Sequence, residues 1–502
     1  MSLGYGSASA WKGASGDSEA LRAFRVSNGS ADRDLCYDRE TLLLRSRSLF
    51  QNNMYCSALV KSMDVNVVGS GIKARPIPDF ELLGIDREKV ENWSRIVQKY
   101  FDLWADNPSC DVEGKNDFYQ LQDLGLKTQV IAGECFGLPQ YDSSNPFGVT
   151  LKTLESDRCR QPYYQLETDT FCMGIETYSQ GKPKAYHFTK RVPYGVNDYT
   201  AIYETVRIEA FDPLNARNVI HSFVCDRSDQ RRGVPMMAQM ISDMKQLDRY
   251  KDSELMAAVV SSMFTVLIQN KGGNDPARLL GNVVPGQQVA PKEDDVVELS
   301  PGGICRLNDV EDIKFANASR PNANFNPFVD YMLRGAAASM GQSSEQVMHY
   351  FNSSYNAVRA ALQEARKNYE KIKYNFIAGF CQPMFEKFLA SCIAQGIIQA
   401  PGYFDDPIKH LLWNSCRWDS DAGFMLDPTK ETQAIIMQLD NQLIDRDTAC
   451  RKICGQEWSV IAAKIAEERK LSVKLGLPEP GTVNRSESIS TQTNEGGDDG
   501  QK

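Results

Sequence analysis

The chain has 502 residues, 42% of them hydrophobic and 24% charged, with a net charge of −9. That is the composition of an ordinary globular protein of two to four domains. It excludes a polycation that coats nucleic acid, so any contact with DNA is local or of a sliding kind.

Residues 1–30 are rich in Gly, Ser and Ala and are expected to form a flexible N-terminal arm without a secretory leader. From Arg39 to Val68 the periodicity predicts a helix, broken afterwards by "VVGSGIKARPIP". A second helix is expected around "REKVENWSRIVQKYFDLWAD", where Val90, Trp93, Val97, Phe101 and Trp104 recur at helical spacing. From about 127 to 225, short apolar runs between Gly, Pro and Asp turns predict a mostly antiparallel β region.

"RRGVPMMAQMISDMKQLDRYKDSELMAAVVSSM" then opens a long helix, with Pro235 in its first turn and Met237, Met240, Ile241, Met244 and Leu247 on one face. That methionine face reads as an adaptable core rather than a sliding subunit contact. Leu255–Ile268, the longest uncharged apolar stretch, is too short to span a bilayer. A β-like insertion follows, turning at Ser300-Pro301-Gly302-Gly303. "NPFVDYMLRGAAASMG" reads as a short helix with a small face of Gly335, Ala336, Ala338 and Ser339, stopped by Gly341. The polar "QSSEQVMHYFNSS" comes next as a loop, and the tail from Glu479 is expected to be disordered.

The strings that imitate chemistry do not hold up. Gly69-Ser70-Gly71 lacks a preceding strand, and Pro76 and Pro78 prevent the helix that a dinucleotide fingerprint needs. Gly133-Glu134-Cys135-Phe136-Gly137 resembles a nucleophile elbow with no helix behind it, and reads better as a strand with a buried Cys. His221, Cys225 and Asp226 are close in sequence, which says nothing of their geometry. Of thirteen cysteines only Cys450 and Cys454 are near neighbours, and no His completes a zinc set, so reduced structural thiols are expected. No catalytic, cofactor or metal residue is assigned. A Cys-dependent hydrolase built on Cys135 or Cys225, and a helical scaffold or adaptor without a DNA channel, stand as alternatives.

The most unusual element starts at Ser353. Tyr355, Val358, Leu362, Ala365, Tyr369, Ile372 and Phe376 follow at alternating steps of three and four, a narrow seam rather than a broad globular stripe. The other faces are mildly basic. The stretch from Tyr355 to Leu389 would span roughly 50 Å as one helix, with Pro383 kinking it near Gly379. A ring of repeated subunits has use for such a strut.

Four segments in order, spread from about Arg45 to Pro478, resemble the portal proteins of tailed bacteriophages, of the phage lambda type. "RSRSLFQNNMYCSALVKSMDVNVVGSGIKARP" is similar to that family's N-terminal helix. "VIHSFVCDRSDQRRGVPMMAQMI" is similar to its segment before the first stem helix, with His221, Arg227, Gln230, Arg232, Gly233 and Pro235 in matching places. "SSYNAVRAALQEARKNY" resembles its long-helix start, with Asn356 and Ala357 replacing two small polar residues. "LDPTKETQAIIMQLDNQLIDRDTACRKICGQEW" resembles its C-terminal helix pair.

The resemblance implies an α+β portal fold. Its parts would be a wing (31–232), stem helices (233–263 and 326–341), a small α/β clip (264–325), a tunnel loop (342–354), a long helix with more wing (355–426) and a helical crown (427–478). It implies a twelvefold ring of identical subunits at one capsid vertex of the virion, assembled in the host cytoplasm, with no enzymatic activity and no membrane. Double-stranded DNA would pass through the ring. The terminase large subunit, the capsid or scaffolding protein, and later the head-completion or tail connector proteins would dock on it. Gln346, His349, Tyr350, Asn352 and Ser353 would face DNA. That loop departs from the family, which usually has a Pro-Tyr and an acidic residue here. Tyr355, Val358, Leu362, Tyr369, Ile372 and Phe376 would pack subunits together.

Overall fold

A computed structural model describes residues 23, 29–190, 204–213, 215–263, 267–270, 311–314, 324–351, 354–420, 428–454 and 458–476. The fold is mixed helix and sheet. It divides into two compact units, one of residues 1–68 with 99–414 and the other of 69–98 with 415–502. The wing boundaries expected from sequence therefore run across a unit division, because residues 69–98 group with the C-terminal part.

In the larger unit the chain opens with three helices rather than one: Ala31–Cys36, Arg39–Asn52 and Met54–Val67. Asn53 makes the second break. Its extended backbone cannot continue a helix, and its side-chain oxygen accepts from the Tyr55 and Cys56 amides to start the next one. A further helix, Phe118–Ala132, reaches into the segment expected to be β. An Asp117–Gln120 capping box fixes its start and Gly133, at φ 86°, its end, so the strands begin only at Glu134.

Glu134–Tyr141 is the middle of a three-stranded sheet, flanked antiparallel by Val149–Leu154 and Ile220–Phe223. A second sheet of Phe171–Cys172, Ile175–Thr177, Pro183–Thr189 and Thr205–Glu209 runs as a meander. Residues from both sheets share a core that includes Phe136, Leu154, Ile175, Tyr186 and Phe188. An aromatic cluster of Phe101, Trp104, Phe118, Phe385 and Phe388 forms another, with Phe101 5.1 Å from Phe388 and the Trp104 indole donating to the Val149 carbonyl at 2.9 Å.

The long C-terminal helices follow the sequence pattern closely. Ile241–Met263 buries Met244 and Leu247, with Met237 and Met240 buried in the turn before it, while Leu255 and Met256 near its far end are exposed. Phe325–Ser339 buries Ala336 and Ala337; Gly335, Ala338 and Ser339, expected on a packed face, are exposed, because the buried stripe runs through Leu333 and Met340. Tyr355–Phe376 continues through one π-helical turn, Ile377–Cys381, into Gln382–Ala394. Pro383 lacks the N–H that would continue the ladder, and the chain absorbs the defect as that bulge. Gly379 sits inside it, where a Cβ would lie 2.5 Å from Ser222 Oγ, so the helix can lie directly on the strand Ile220–Phe223.

In the smaller unit, Gly69 and Gly71 take positive φ and lead into the strand Lys73–Pro76, which pairs antiparallel with Cys416–Asp419. A turn and a strand replace the helix that a nucleotide fingerprint requires. Three helices, Pro428–Asp440, Arg446–Cys454 and Trp458–Leu475, form the C-terminal part where a helical crown is expected. Of the expected clip, the antiparallel pair Leu267–Asn270 and Glu311–Lys314 and its last two residues, Asn324 and Phe325, are described; the turn at Ser300–Gly303, the arm up to residue 22 and the tail from 477 lie outside the described residues. No helix among the described residues is long and apolar enough to cross a membrane.

Candidate functional site

Four segments converge on the carboxylate of Glu134, which has no solvent exposure; one of them supplies Ser156, whose Oγ donates to Oε1 at 2.5 Å. Arg39 donates to its Oε1 at 2.6 Å from the second helix, and Arg232 donates from Nε to both oxygens at 2.9 Å. His221 Nε2 lies 3.0 Å from Oε2, and the Gly233 amide donates to the same oxygen at 3.1 Å. Arg232 is fully buried, and each of its N–H groups has a partner, since Nη1 donates to the Cys159 and Met173 carbonyls and Nη2 to Glu134 and Ser156. A buried guanidinium survives only when it is satisfied in this way.

The electrostatics agree with that geometry. Burial alone would raise the Glu134 carboxyl, but Arg232 and Arg39, helped by the hydrogen bonds from His221 and Arg232, hold it well below the usual carboxylate range. Burial, reinforced by the neighbouring arginines, pushes His221 down despite Glu134. His221 is therefore neutral near pH 7 and donates through Nε2, while its Nδ1 faces the Tyr186 hydroxyl at 3.4 Å. The glycines let the strands meet. A Cβ on Gly233 would lie 2.0 Å from the Gly133 carbonyl oxygen. Gln230 completes the turn, accepting from the Asp226 amide at 3.0 Å and donating to the Arg232 carbonyl at 2.8 Å, and Arg227 reaches Asp34 at 2.6 Å.

Sequence reading flagged His221, Arg227, Gln230, Arg232 and Gly233 through the family resemblance, but it treated Gly133-Glu134 as a decoy and missed Arg39 and Ser156. The signal was a Gly-Glu and an Arg-Gly about a hundred residues apart, and no periodicity connects such a pair. The hydrolase constellations dissolve. Cys135 is buried and its thiol is pushed up by burial and Glu134, the opposite of an activated nucleophile. Cys225 is exposed and donates to the Arg227 carbonyl at 2.9 Å, while His221 turns to Glu134 instead.

The seam of the long helix splits in two. Ala365, Tyr369, Ile372 and Phe376 are buried within their own chain. The Tyr369 hydroxyl donates to Gln346 at 3.2 Å, Asn368 donates to the Met340 carbonyl at 3.1 Å, and the Phe376 ring stacks on Phe380 at 5.1 Å. This corrects the expectation that Tyr369, Ile372 and Phe376 pack against another subunit, since their surface is already used. Val358 and Leu362 are only half-buried and Tyr355 is 51% exposed.

The preceding loop contains a short helix, Ser344–Met348. Gln346, expected to face DNA, instead ties that helix inward, donating to Asn66 at 3.0 Å while it accepts from Tyr369. His349 caps the short helix in the left-handed region at φ 51°, and it is exposed together with Tyr350 and Phe351. Asn352 and Ser353 lie outside the described residues.

Residues 17–373 match the family model described as "Phage portal protein, lambda family". The chain belongs to the lambda family of phage portal proteins. It is 23% identical over 495 residues to portal protein B of Escherichia phage lambda, covering 93% of this chain and 90% of that protein. It is also 23% identical over 496 residues to the portal protein of Escherichia phage N15, covering 93% and 91%. Among solved structures it is similar at 13% identity to a chain in the neck of an empty gene transfer agent particle, with TM-score 0.44 over 88% of this chain and 94% of that one. A chain from the native particle's neck, computed with C12 symmetry, gives TM-score 0.43 over the same shares. Family membership makes the chain a structural virion protein with a portal function and no enzymatic role. The buried joint ties the segment Arg232-Gly233 and the helix Arg39–Asn52 to the strand Glu134–Tyr141.

Proposed function

We propose that copies of this chain close into a ring, twelvefold as in the C12 particle neck, and that double-stranded DNA slides through it. The observation that carries this reading is the split seam. The chain buries the C-terminal half of a regular apolar stripe and leaves Tyr355, Val358 and Leu362 for a partner with the same surface. Further apolar surface lies on the stem helices, where Leu255, Met256 and Tyr331 are more than half exposed. Tyr250 contacts the Phe328 ring at 5.2 Å, holding the two stem helices together at the base of that surface.

On this reading the loop from Gln342 to Phe351 lines the channel through His349, Tyr350 and Phe351. It contains no Lys or Arg, and a wall that does not neutralise phosphates lets DNA move instead of gripping it. The clip would meet the terminase large subunit during packaging and the head-completion or tail connector proteins afterwards. Electron microscopy and mass measurement of the purified full-length chain test the ring. Closed rings with a central hole are expected, and a protein that stays monomeric under all assembly conditions would overturn the reading.

A further inference from the structure

A second meeting point of reactive side chains lies outside the joint. Cys36 ends the helix Ala31–Cys36, Cys172 ends the strand Phe171–Cys172, and Glu167 stands on the turn before that strand. One ligand atom from each lies within 4.8 Å of the other two. The Cys36 thiol donates to Glu167 Oε2 at 2.9 Å, and the Met173 amide donates to Oε1 at 3.3 Å, which turns the free carboxylate edge toward the sulfurs. Leu35, Leu42, Met173 and Val234 pack an apolar wall around Cys172, while Glu167 is exposed and leaves the group open to solvent.

We propose that Cys36, Cys172 and Glu167 form a binding site for a thiophilic divalent cation, with zinc the best fit. Zinc bonds of about 2.3 Å to sulfur and about 2.0 Å to oxygen, at tetrahedral angles, set the ligand atoms about 3.5–3.8 Å apart. That separation falls within the observed spread and needs the thiol–carboxylate pair to open by less than an ångström. Two sulfurs select against calcium and magnesium, which take oxygen ligands. In the metal-free protein both thiols keep their protons, because burial and then Glu167 push Cys36 up to about 12 and Cys172 up to about 11. Binding therefore releases one proton from each thiol to solvent, and affinity rises with pH. Three protein ligands leave a fourth position for water. The bound ion would clamp the first helix of the wing to the edge of its second sheet.

The test uses full-length protein, reduced and stripped of metal, titrated with Co²⁺ and then Zn²⁺. A thiolate-to-cobalt absorption band is expected, with proton release and a rise in the melting temperature on adding Zn²⁺. Cys36→Ser and Cys172→Ser should each weaken Co²⁺ binding by more than the ~10-fold typical of losing an outer-shell partner, and Glu167→Gln should weaken it less. Cys450 and Cys454, four apart on the helix Arg446–Cys454, are the obvious rivals, so a Cys450→Ser, Cys454→Ser double variant should keep the signal. Binding that survives both Cys36→Ser and Cys172→Ser overturns the site. So does the absence of any thiolate–cobalt band, or a Cys36–Cys172 disulfide in protein that takes up no metal once reduced.

Discussion

The joint around Glu134 and the open end of the long helix solve opposite problems. At the joint, the Glu134 carboxylate and the Arg232 guanidinium are fully buried, with Arg39 and a neutral imidazole nearly so, and the carboxylate's partners are fixed by direction and distance. At the helix end, Tyr355 is 51% exposed and Val358 and Leu362 are only half-buried, so apolar surface there is left partly uncovered. Charge-assisted hydrogen bonds suit a connection made once, during folding, because a buried charge that loses its partner is intolerable. Apolar contacts suit a connection between separate subunits, which must tolerate exposure before assembly. On the proposed reading, the joint stabilises the subunit and the open end of the seam serves assembly.

Ranked by loss of subunit stability, substitutions should separate these two regions. Glu134→Ala leaves Arg232 and Arg39 buried without a counter-charge. It is expected to cost ~3–5 kcal/mol, seen as a lower denaturation midpoint or as insoluble protein; a soluble variant of wild-type stability would remove the joint from the account. Gly233→Ala puts a methyl into the Gly133 carbonyl and should cost about 1–3 kcal/mol, read from the same denaturation curve.

Asp64 gives a smaller, pH-dependent effect. Burial, then the hydrogen bond and charge of Asp123, raise it to about 7 against the pull of Lys127. Its contribution to stability is full below the unfolded value of 3.8 and is lost as pH rises through about 7. Asp64→Asn should therefore gain stability relative to wild type between pH 5 and pH 8, measured as the difference in melting temperature at the two pH values. Leu362→Glu, at a half-buried position, should lower monomer stability less than Glu134→Ala does, yet abolish rings on sizing and imaging. Tyr350→Ala should leave both stability and rings intact and lower DNA packaging in a virion assembly assay.

Much of the architecture was legible from periodicity. The helices at Arg87–Ala105, Ile241–Met263 and Phe325–Ser339 and the long helix followed from apolar spacing, while the kink expected near Gly379 is instead a π-helical turn. Phe118–Ala132 was misread in part because its end is set by Gly133 and its start by a capping box, which apolar runs do not reveal. The break at Asn53 turned on one side chain accepting two amides. The seam itself was visible, but its division was not: whether Tyr369 meets Gln346 or a neighbouring copy depends on how the chain returns to the helix Met54–Val67. Glu134 and the Cys36–Glu167–Cys172 group were hidden for the same reason, since Arg39, His221 and Arg232 lie 87 to 98 residues from Glu134 and Cys36 lies 131 from Glu167.

The division of the seam can be read directly by placing a photo-crosslinking amino acid at position 362 or at position 372 in otherwise unchanged full-length protein. Irradiation of assembled protein should give covalent dimers and higher ladders from position 362, and only unlinked monomers from position 372. Equal ladders from both positions, or ladders from 372 alone, would contradict the account in which one half of the helix builds the subunit and the other half builds the ring.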